Sequence, residues 1–238
     1  MATATAQVTK WIHISDTGGD PWVLPIWTSV HQAIERKAVG PIPQELSELG
    51  PYLSTRLDFL PEIVRRVGDE AGALLKVVAG CPDKHVFSEA QTAYALPVDR
   101  RLVSTLLIDI DSLLFEFYSA CELMTAFFEK LHGHSGKQMP EKNAGLSIQT
   151  LLTKAGRDTS WFVLLSEHRH FFIHEGAPYI AVDASARPDS YDLLIMKQNL
   201  QRFDDPNSFL RLSQLQAIVS GFLGSRGIIQ QYLRAIYN

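Results

Sequence analysis

Three polar side chains that can do chemistry lie near the end of a predicted helix. They are Arg169, His170 and His174 in the run Arg-His-Phe-Phe-Ile-His, and Gly176 follows shortly after. At about 100° per residue they share one face with Glu167, inside an arc of about 160°. Histidine changes its charge near neutral pH, so this face could take part in acid–base chemistry. This segment is the candidate functional site.

The same face also carries three large apolar side chains, Phe162, Val163 and Ile173. A surface helix has no reason to expose them beside an arginine and two histidines, whereas a subunit interface often mixes such groups. We therefore expect the face to lie between two copies of the chain. The alternative is that it packs against the N-terminal part of the same chain.

The opposite face of this helix is predicted to enter the core. Its members are Trp161, Leu164, Leu165, His168, Phe171 and Phe172. A histidine in the middle of an apolar face is usually a core side chain whose nitrogens are hydrogen-bonded. We therefore predict a structural role for His168.

A metal site is an alternative use of the polar face. Glu167, His170 and His174 follow the spacing i, i+3, i+7 and fall within about 60° of one another. Histidine and carboxylate side chains on one face could bind zinc or a similar ion. Helical bundles that hold paired iron need Glu-x-x-His on two helices, and no second such motif is predicted to face inward here. The sequence therefore predicts no metal and no cofactor.

The site helix follows a very long helix that is predicted over residues 99–132. Asp99 suits the N-cap and Gly133 suits the end. The apolar side chains make one broad face, which is typical of the central helix of a bundle. A polar stripe with Asp109 and Glu116 is predicted to point away from the core, so both carboxylates are candidates to support the site. The alternative is that they are solvated surface charges.

The remaining elements complete a predicted bundle. The other helices cover residues 27–38, 61–79, 145–155, 158–175 and 213–236, and two strands cover residues 179–183 and 191–197. The predicted fold is mainly α. A helical bundle over residues 99–238 has a small β-hairpin before its last helix and follows an N-terminal extension of mixed loops and helices over residues 1–98.

Smaller features of the sequence refine this outline. His132 and His134 are assigned to a glycine-rich loop, and Pro61 is assigned to the first turn of a helix. The last helix is predicted to start with the capping box Ser213-x-x-Gln216. Its glycines either leave a shallow face where another helix could approach closely or are simply tolerated within the helix. They are Gly221, Gly224 and Gly227.

Composition limits the classes of function. The 238 residues carry a net charge of −4, whereas proteins that coat nucleic acid are usually basic. Any contact with nucleic acid would therefore be local. No apolar run has the length of a signal peptide core or a bilayer span, so we expect a cytoplasmic location and no membrane contact. Two cysteines are too few for a disulfide framework or a zinc knuckle.

The pattern Arg169-His170-x3-His174 resembles the Arg-x4-His motif of the HEPN superfamily, in which a polar residue follows the arginine. The long acidic-striped helix and the short helix before the motif are also similar to that family, so the likeness covers roughly residues 99–236. The resemblance implies a compact helical bundle that forms a homodimer and acts as a metal-independent endoribonuclease. It also implies RNA as substrate, bacterial stress or defence as the setting, and an antitoxin or another regulator as a partner.

The resemblance also implies a role for each motif residue. His174 would be the general acid/base that helps the ribose 2′-hydroxyl attack the adjacent phosphate. Arg169 would hold that phosphate, and His170 would orient the site through hydrogen bonds. Arg169 and His174 lie about 140° apart on the helix, so a symmetric pair of subunits is expected to assemble the site better than one subunit.

Two positions depart from the family pattern. Many members have Asn after the arginine, where this chain has His170, and a subset has a regulatory tyrosine where this chain has Gly176. Regulation by nucleotidyl transfer is therefore not expected. The alternative function is a catalytically inactive HEPN-like module that binds RNA or nucleotide, or that only dimerises.

Overall fold

Six α-helices and a small antiparallel sheet make up the described part of the chain. The computed structural model describes residues 19–81, 96–175, 179–185, 190–197 and 205–238. The helices are α1 (Leu24–Glu35), α2 (Gln44–Ala79), α3 (Arg100–Ser135), α4 (Ala144–Lys154), α5 (Ser160–His174) and α6 (Leu212–Ala235). The strands are β1 (Tyr179–Asp183), β2 (Asp192–Met196) and β3 (Phe209–Arg211). The predicted mainly helical class, with a hairpin before the last helix, is confirmed.

Helix α2 is much longer than predicted. It begins at Gln44 and contains both Pro51 and Pro61, so the predicted start at Pro61 is wrong. A proline inside a helix removes one hydrogen bond and costs roughly 3 kcal/mol. Apolar side chains nevertheless continue along one face through both prolines and are buried: Leu46, Leu53, Leu57, Leu60, Val67, Ala71 and Leu74. Their packing against the rest of the core offsets the cost of the two prolines.

Helix α3 runs beside α2 and ends one turn later than predicted. The Asp99 side chain accepts a hydrogen bond from the Arg101 backbone N–H at 2.9 Å, which confirms the predicted cap. The end is at Gly136, whose φ of 68° is the left-handed conformation that suits glycine. Gly133 lies inside the helix, so the predicted end there is wrong.

The two histidines assigned to a loop belong to the last turns of α3, which corrects that prediction. His132 is buried, with its ring 4.8 Å from the Phe128 ring and Nδ1 3.0 Å from the Lys137 carbonyl. His134 Nδ1 lies 2.9 Å from the hydroxyl of Tyr237, near the C-terminus. Both side chains therefore join α3 to neighbouring segments.

The sheet contains the two predicted strands and a third strand that the sequence did not reveal. Strand β2 pairs antiparallel with β1 and with β3, giving the order β1-β2-β3. The turn predicted at residues 187–189 lies outside the described residues. β3 leads directly into α6, where the Gln214 side chain accepts from the Arg211 backbone N–H at 2.8 Å. The predicted cap at Ser213 is wrong, because the Ser213 hydroxyl donates to Asp192 instead.

One hydrophobic core extends from the first described helix to the C-terminus. It contains Leu53 and Leu57 of α2 together with Phe117 and Phe127 of α3 and Tyr237. The two predicted parts of the chain, divided after residue 98, therefore contribute to the same core. Among the described helices, none combines the length and the apolar character needed to cross a bilayer.

Candidate functional site

The candidate site lies on α5, and a local cap sets where that helix begins. The Asp158 side chain accepts from the Ser160 backbone N–H at 2.9 Å and from the Ser160 hydroxyl at 2.6 Å. These bonds satisfy a free donor at the helix start and hold the pKa of Asp158 below its usual value. The last helical residue is His174, with Glu175 as the C-cap. The Arg-x4-His motif therefore occupies the final turns, as predicted.

The predicted core face of α5 is confirmed. Trp161, Leu165, His168 and Phe171 are buried, and Leu164 and Phe172 are half-buried. Trp161 packs on α6, where a methyl group on Gly221 would come within 2.3 Å of the indole ring. This contact confirms that the glycine face of α6 allows a close approach at Gly221. It also sets how closely α5 packs against α6.

His168 is buried as predicted, but it is not hydrogen-bonded. Its side chain is 3% exposed, and neither ring nitrogen has a partner among the described residues. Burial, followed by the nearby positive charge of Lys197, lowers the pKa of His168 to about 4. The expectation of satisfied nitrogens is therefore wrong, and the ring stays neutral at neutral pH.

His170 and His174 form an exposed pair on the outer face of α5. Their ring centroids are 4.5 Å apart with an interplanar angle of 51°. The i, i+4 spacing places one ring directly above the other along the helix. Both side chains are exposed, so apolar groups do not enclose His174. Two imidazoles that face solvent together can accept, hold or donate a proton to a bound molecule.

Arg169 points in another direction, toward α3. Its Cζ lies 4.2 Å from the centroid of the Tyr118 ring, which is a cation–π distance. The Tyr118 ring in turn stacks on Phe162 at 6.3 Å and 13°. Arg169 is half-buried, and its Nε is buried without a hydrogen-bond partner. Within one chain, the guanidinium therefore packs on an aromatic ring and not beside His174.

Tyr118 was not predicted as part of the site. It is one of many aromatic and apolar side chains along α3, and nothing in its spacing links it to α5. The cation–π contact is tertiary, so it depends on how α3 and α5 cross. The only local sign of such a contact is an aromatic residue at the edge of the predicted core face of α3.

The structure places the two candidate carboxylates of α3 against α2 and not against α5. Asp109 is 1% exposed, and both of its oxygens accept hydrogen bonds from Arg66. Glu116 accepts from Arg56 at 2.6 and 2.5 Å. The prediction that this stripe points away from the core is wrong for Asp109, because α2 packs over it and Arg66 binds its carboxylate. Both carboxylates have structural partners.

Glu167 was a candidate to support the site and a candidate ligand of the alternative metal site. Glu167 is exposed on the same outer side as the histidine pair. Within the described ranges, no group of three or more histidine, cysteine, aspartate or glutamate side chains is placed to hold a metal ion. The spacing of Glu167, His170 and His174 along the helix therefore does not bring their side chains to a common centre.

The apolar side chains of the outer face are uncovered. Phe162, Val163 and Ile173 are 43%, 55% and 47% exposed. The alternative that this face packs on the N-terminal part of the chain does not apply to residues 19–81, which leave it open. An exposed apolar set beside an imidazole pair is the feature of α5 that the fold itself does not explain.

Comparison with known proteins does not assign the chain to a family. No protein-family model matches it, and neither a curated protein nor a solved structure shows significant similarity to it.

Proposed function

We propose that the protein is a homodimeric, metal-independent endoribonuclease of HEPN type. The observation that carries this proposal is the exposed imidazole pair of His170 and His174 beside three uncovered apolar side chains. A catalytic site that spans two subunits needs both features on one surface. It needs groups that move protons, and it needs apolar area that holds the partner.

Each motif residue has one role in the proposed reaction. The imidazole of His174 takes the proton from the ribose 2′-hydroxyl, and the 2′-oxygen attacks the adjacent phosphorus. The His174 imidazolium then gives this proton to the departing 5′-oxygen, so the products are a 2′,3′-cyclic phosphate and a 5′-hydroxyl. The guanidinium of Arg169 stabilises the added negative charge on the phosphate, and His170 orients the site.

The orientation of Arg169 makes the second copy necessary to this proposal. In one chain the guanidinium lies over Tyr118 and does not face the imidazoles. When the outer faces of two α5 helices meet, the imidazole pair of one subunit can approach the Arg169 side of the other. Arg169 is only half-buried, so part of its side chain is available to a phosphate or to the partner.

A second candidate function follows from the same orientation. An arginine that packs on an aromatic ring has a structural role that needs no catalysis. This favours an inactive module of the same kind, which binds RNA or nucleotide or only dimerises. An antitoxin or another regulator that covers the outer face of α5 would fit either function.

The decisive experiment measures cleavage of RNA in EDTA. The wild-type protein is incubated with mixed RNA, beside His174→Ala and the matched control His31→Ala, which changes an exposed histidine on α1. We expect cleavage by the wild type and by the control, with 2′,3′-cyclic phosphate ends, and a loss of at least 100-fold in the His174 variant. Equal cleavage by all three proteins would contradict the role of His174.

Absence of cleavage by the wild type would favour the binding module. In that case, retention of RNA on a filter by the wild type and its loss in Arg169→Ala would identify RNA as the ligand. Failure of both cleavage and retention would leave dimerisation as the function of the outer face.

A further inference from the structure

A cavity beside Trp161 lies between four helices. It has a volume of about 260 Å³. Its apolar lining comes from α3, α4, α5 and α6 and includes Cys121, Met124, Ile148, Leu152, Trp161 and Phe222. An engineered apolar cavity of roughly 150 Å³ in another protein is large enough to bind benzene. This cavity therefore has room for a molecule of at least one aromatic ring.

The lining is neutral throughout. None of the described residues around the cavity is charged. Burial raises the pKa of the Cys121 thiol to about 12, so this side chain stays protonated. A charged ligand would lose its hydration here without gaining an opposite charge. The lining therefore favours a neutral molecule.

One buried donor at the cavity has no partner. Trp161 is 7% exposed, and its indole Nε1 has no hydrogen-bond partner among the described residues. The hydroxyls of Thr125 and Ser225 already donate to the carbonyls of Cys121 and Gly221 at 2.8 and 2.7 Å. Buried polar groups in folded proteins nearly always have a partner, and an orphaned donor destabilises the fold.

We propose that this cavity binds a small, neutral, mainly apolar molecule with one hydrogen-bond acceptor, to which the Trp161 indole N–H donates. A single water is a poorer occupant, because a buried water needs two to four polar partners and most of the lining is apolar. An aryl ketone has the required chemistry, since its ring fills the apolar volume and its carbonyl accepts from the indole. Phe162 and Val163 belong both to the lining and to the outer face of α5, but ligand binding here does not require nuclease activity.

The fold holds the donor in place for such a ligand. Gly221 has no side chain, and the indole of Trp161 packs so closely on it that a methyl group would clash. Phe222 meets the same indole edge to face, with centroids 6.0 Å apart. An indole held on two sides loses little conformational freedom when a ligand binds, so the hydrogen bond strengthens binding without an ordering cost.

The test uses acetophenone and ethylbenzene, which have similar shapes but differ in the carbonyl oxygen. Dissociation constants are measured by ligand-observed NMR on the wild type, Trp161→Phe, Ile148→Trp and Ile108→Trp. Ile148 lines the cavity, whereas Ile108 is an exposed side chain of α3 outside the lining. We expect each compound to bind Ile108→Trp as tightly as it binds the wild type. The tryptophan at position 148 should weaken both at least tenfold by filling the space.

The hydrogen bond is tested by the ratio of the two constants. In Trp161→Phe, the affinity for acetophenone relative to ethylbenzene should fall about three- to tenfold, the usual effect of one neutral hydrogen bond. Any change in cavity shape affects both compounds and cancels in the ratio. The infrared carbonyl stretch of acetophenone bound to the wild type supplies a measurement that needs no variant. It should lie below its frequency in hexane.

Two results would overturn the proposal. If neither compound binds the wild type, or if Ile148→Trp binds both as well as the wild type does, the cavity is not a ligand site. If the carbonyl stretch keeps its hexane frequency and the ratio is unchanged in Trp161→Phe, the indole does not select an acceptor.

Discussion

His168 is a residue whose acid–base chemistry is changed by burial. It is buried on α5 with no partner for either nitrogen, and its pKa is lowered to about 4 from an ordinary value of 6.5. Because the unfolded chain exposes the ring, it takes up a proton at higher pH than the folded chain does. The folded state therefore loses stability as the pH falls from 6.5 toward 4, and this loss is absent above pH 7.

This difference predicts the stability of a variant. The wild type should lose about 2 kcal/mol more of its free energy of unfolding between pH 7 and pH 5 than His168→Leu does. Urea denaturation of both proteins at the two pH values measures this, because contributions from carboxylates are common to both and cancel. If the free energies of unfolding of the two proteins change equally between pH 7 and pH 5, folding does not lower the pKa of His168.

Asp109 and Glu116 illustrate why a residue's role could not be predicted from its own helix. Both lie on one polar stripe of α3, and the stripe alone suggested solvent or a neighbouring active site. Their partners, Arg66 and Arg56, belong to α2. Arg56 lies in the part of α2 that the prolines concealed. Arg66 lies in the part that was predicted, so its contact with Asp109 was missed because it depends on how α2 and α3 pack.

At the scale of the helices, what could be predicted followed apolar periodicity. The apolar face of α3 was clear, whereas α5 carries large apolar side chains on both faces. The bounds of both helices nevertheless lie within a few residues of their predicted positions. The N-terminal half of α2 was missed, because local propensity disfavours proline and only tertiary packing compensates. Strand β3 was missed because three residues are too few to show alternation.

In the candidate site, too, contacts within one helix could be predicted and contacts between helices could not. The contact between His170 and His174 was predictable, since i, i+4 neighbours meet on any helix. The contact between Arg169 and Tyr118 was not, because it depends on the crossing of two helices. The cavity beside Trp161 also arises only when four helices are assembled, and no single segment of sequence indicates it.

Helix α6 offers a matched pair of glycines that tests the packing of α5. A methyl group on Gly221 would lie 2.3 Å from the Trp161 ring, whereas nothing described lies within 4 Å of one on Gly227. Gly221→Ala should therefore destabilise the protein by about 1–3 kcal/mol through overpacking. Gly227→Ala should stabilise it by up to about 1 kcal/mol, because alanine favours a helix more than glycine does.

Thermal unfolding of the two glycine variants measures these opposite effects. The wild type serves as the reference for both. If Gly221→Ala is as stable as Gly227→Ala, the indole of Trp161 does not lie against α6 in solution, and the close approach of the two helices is wrong.

At the scale of the whole molecule, charge restricts how the proposed RNA substrate could bind. The chain carries a net charge of −4, so its overall field repels a polyanion. Binding must then come from a local surface that brings several donors together. Two copies of the outer face of α5 would bring two arginines and four imidazoles to one interface, whereas one copy supplies half of that set.

The area of such an interface sets a further requirement. A stable dimer buries roughly 800 Å² on each partner, which is more than three side chains can supply. Phe162, Val163 and Ile173 can therefore form only the apolar centre of the contact, and neighbouring surface must join it. A charge placed in that centre would be buried without a partner in the dimer, but it would stay solvated in a monomer.

This contrast predicts the oligomeric state of a variant. The wild type should have twice the chain mass of 26.6 kDa in sedimentation equilibrium, and Ile173→Glu should have the mass of one chain. Val77→Glu is the control, because Val77 is similarly exposed but lies on α2. A control that remains dimeric excludes a general effect of added charge. If Ile173→Glu is dimeric as well, the outer face of α5 is not the interface. The two motifs would then not share a site, and any nuclease activity would have to come from a single chain in which Arg169 and His174 face apart.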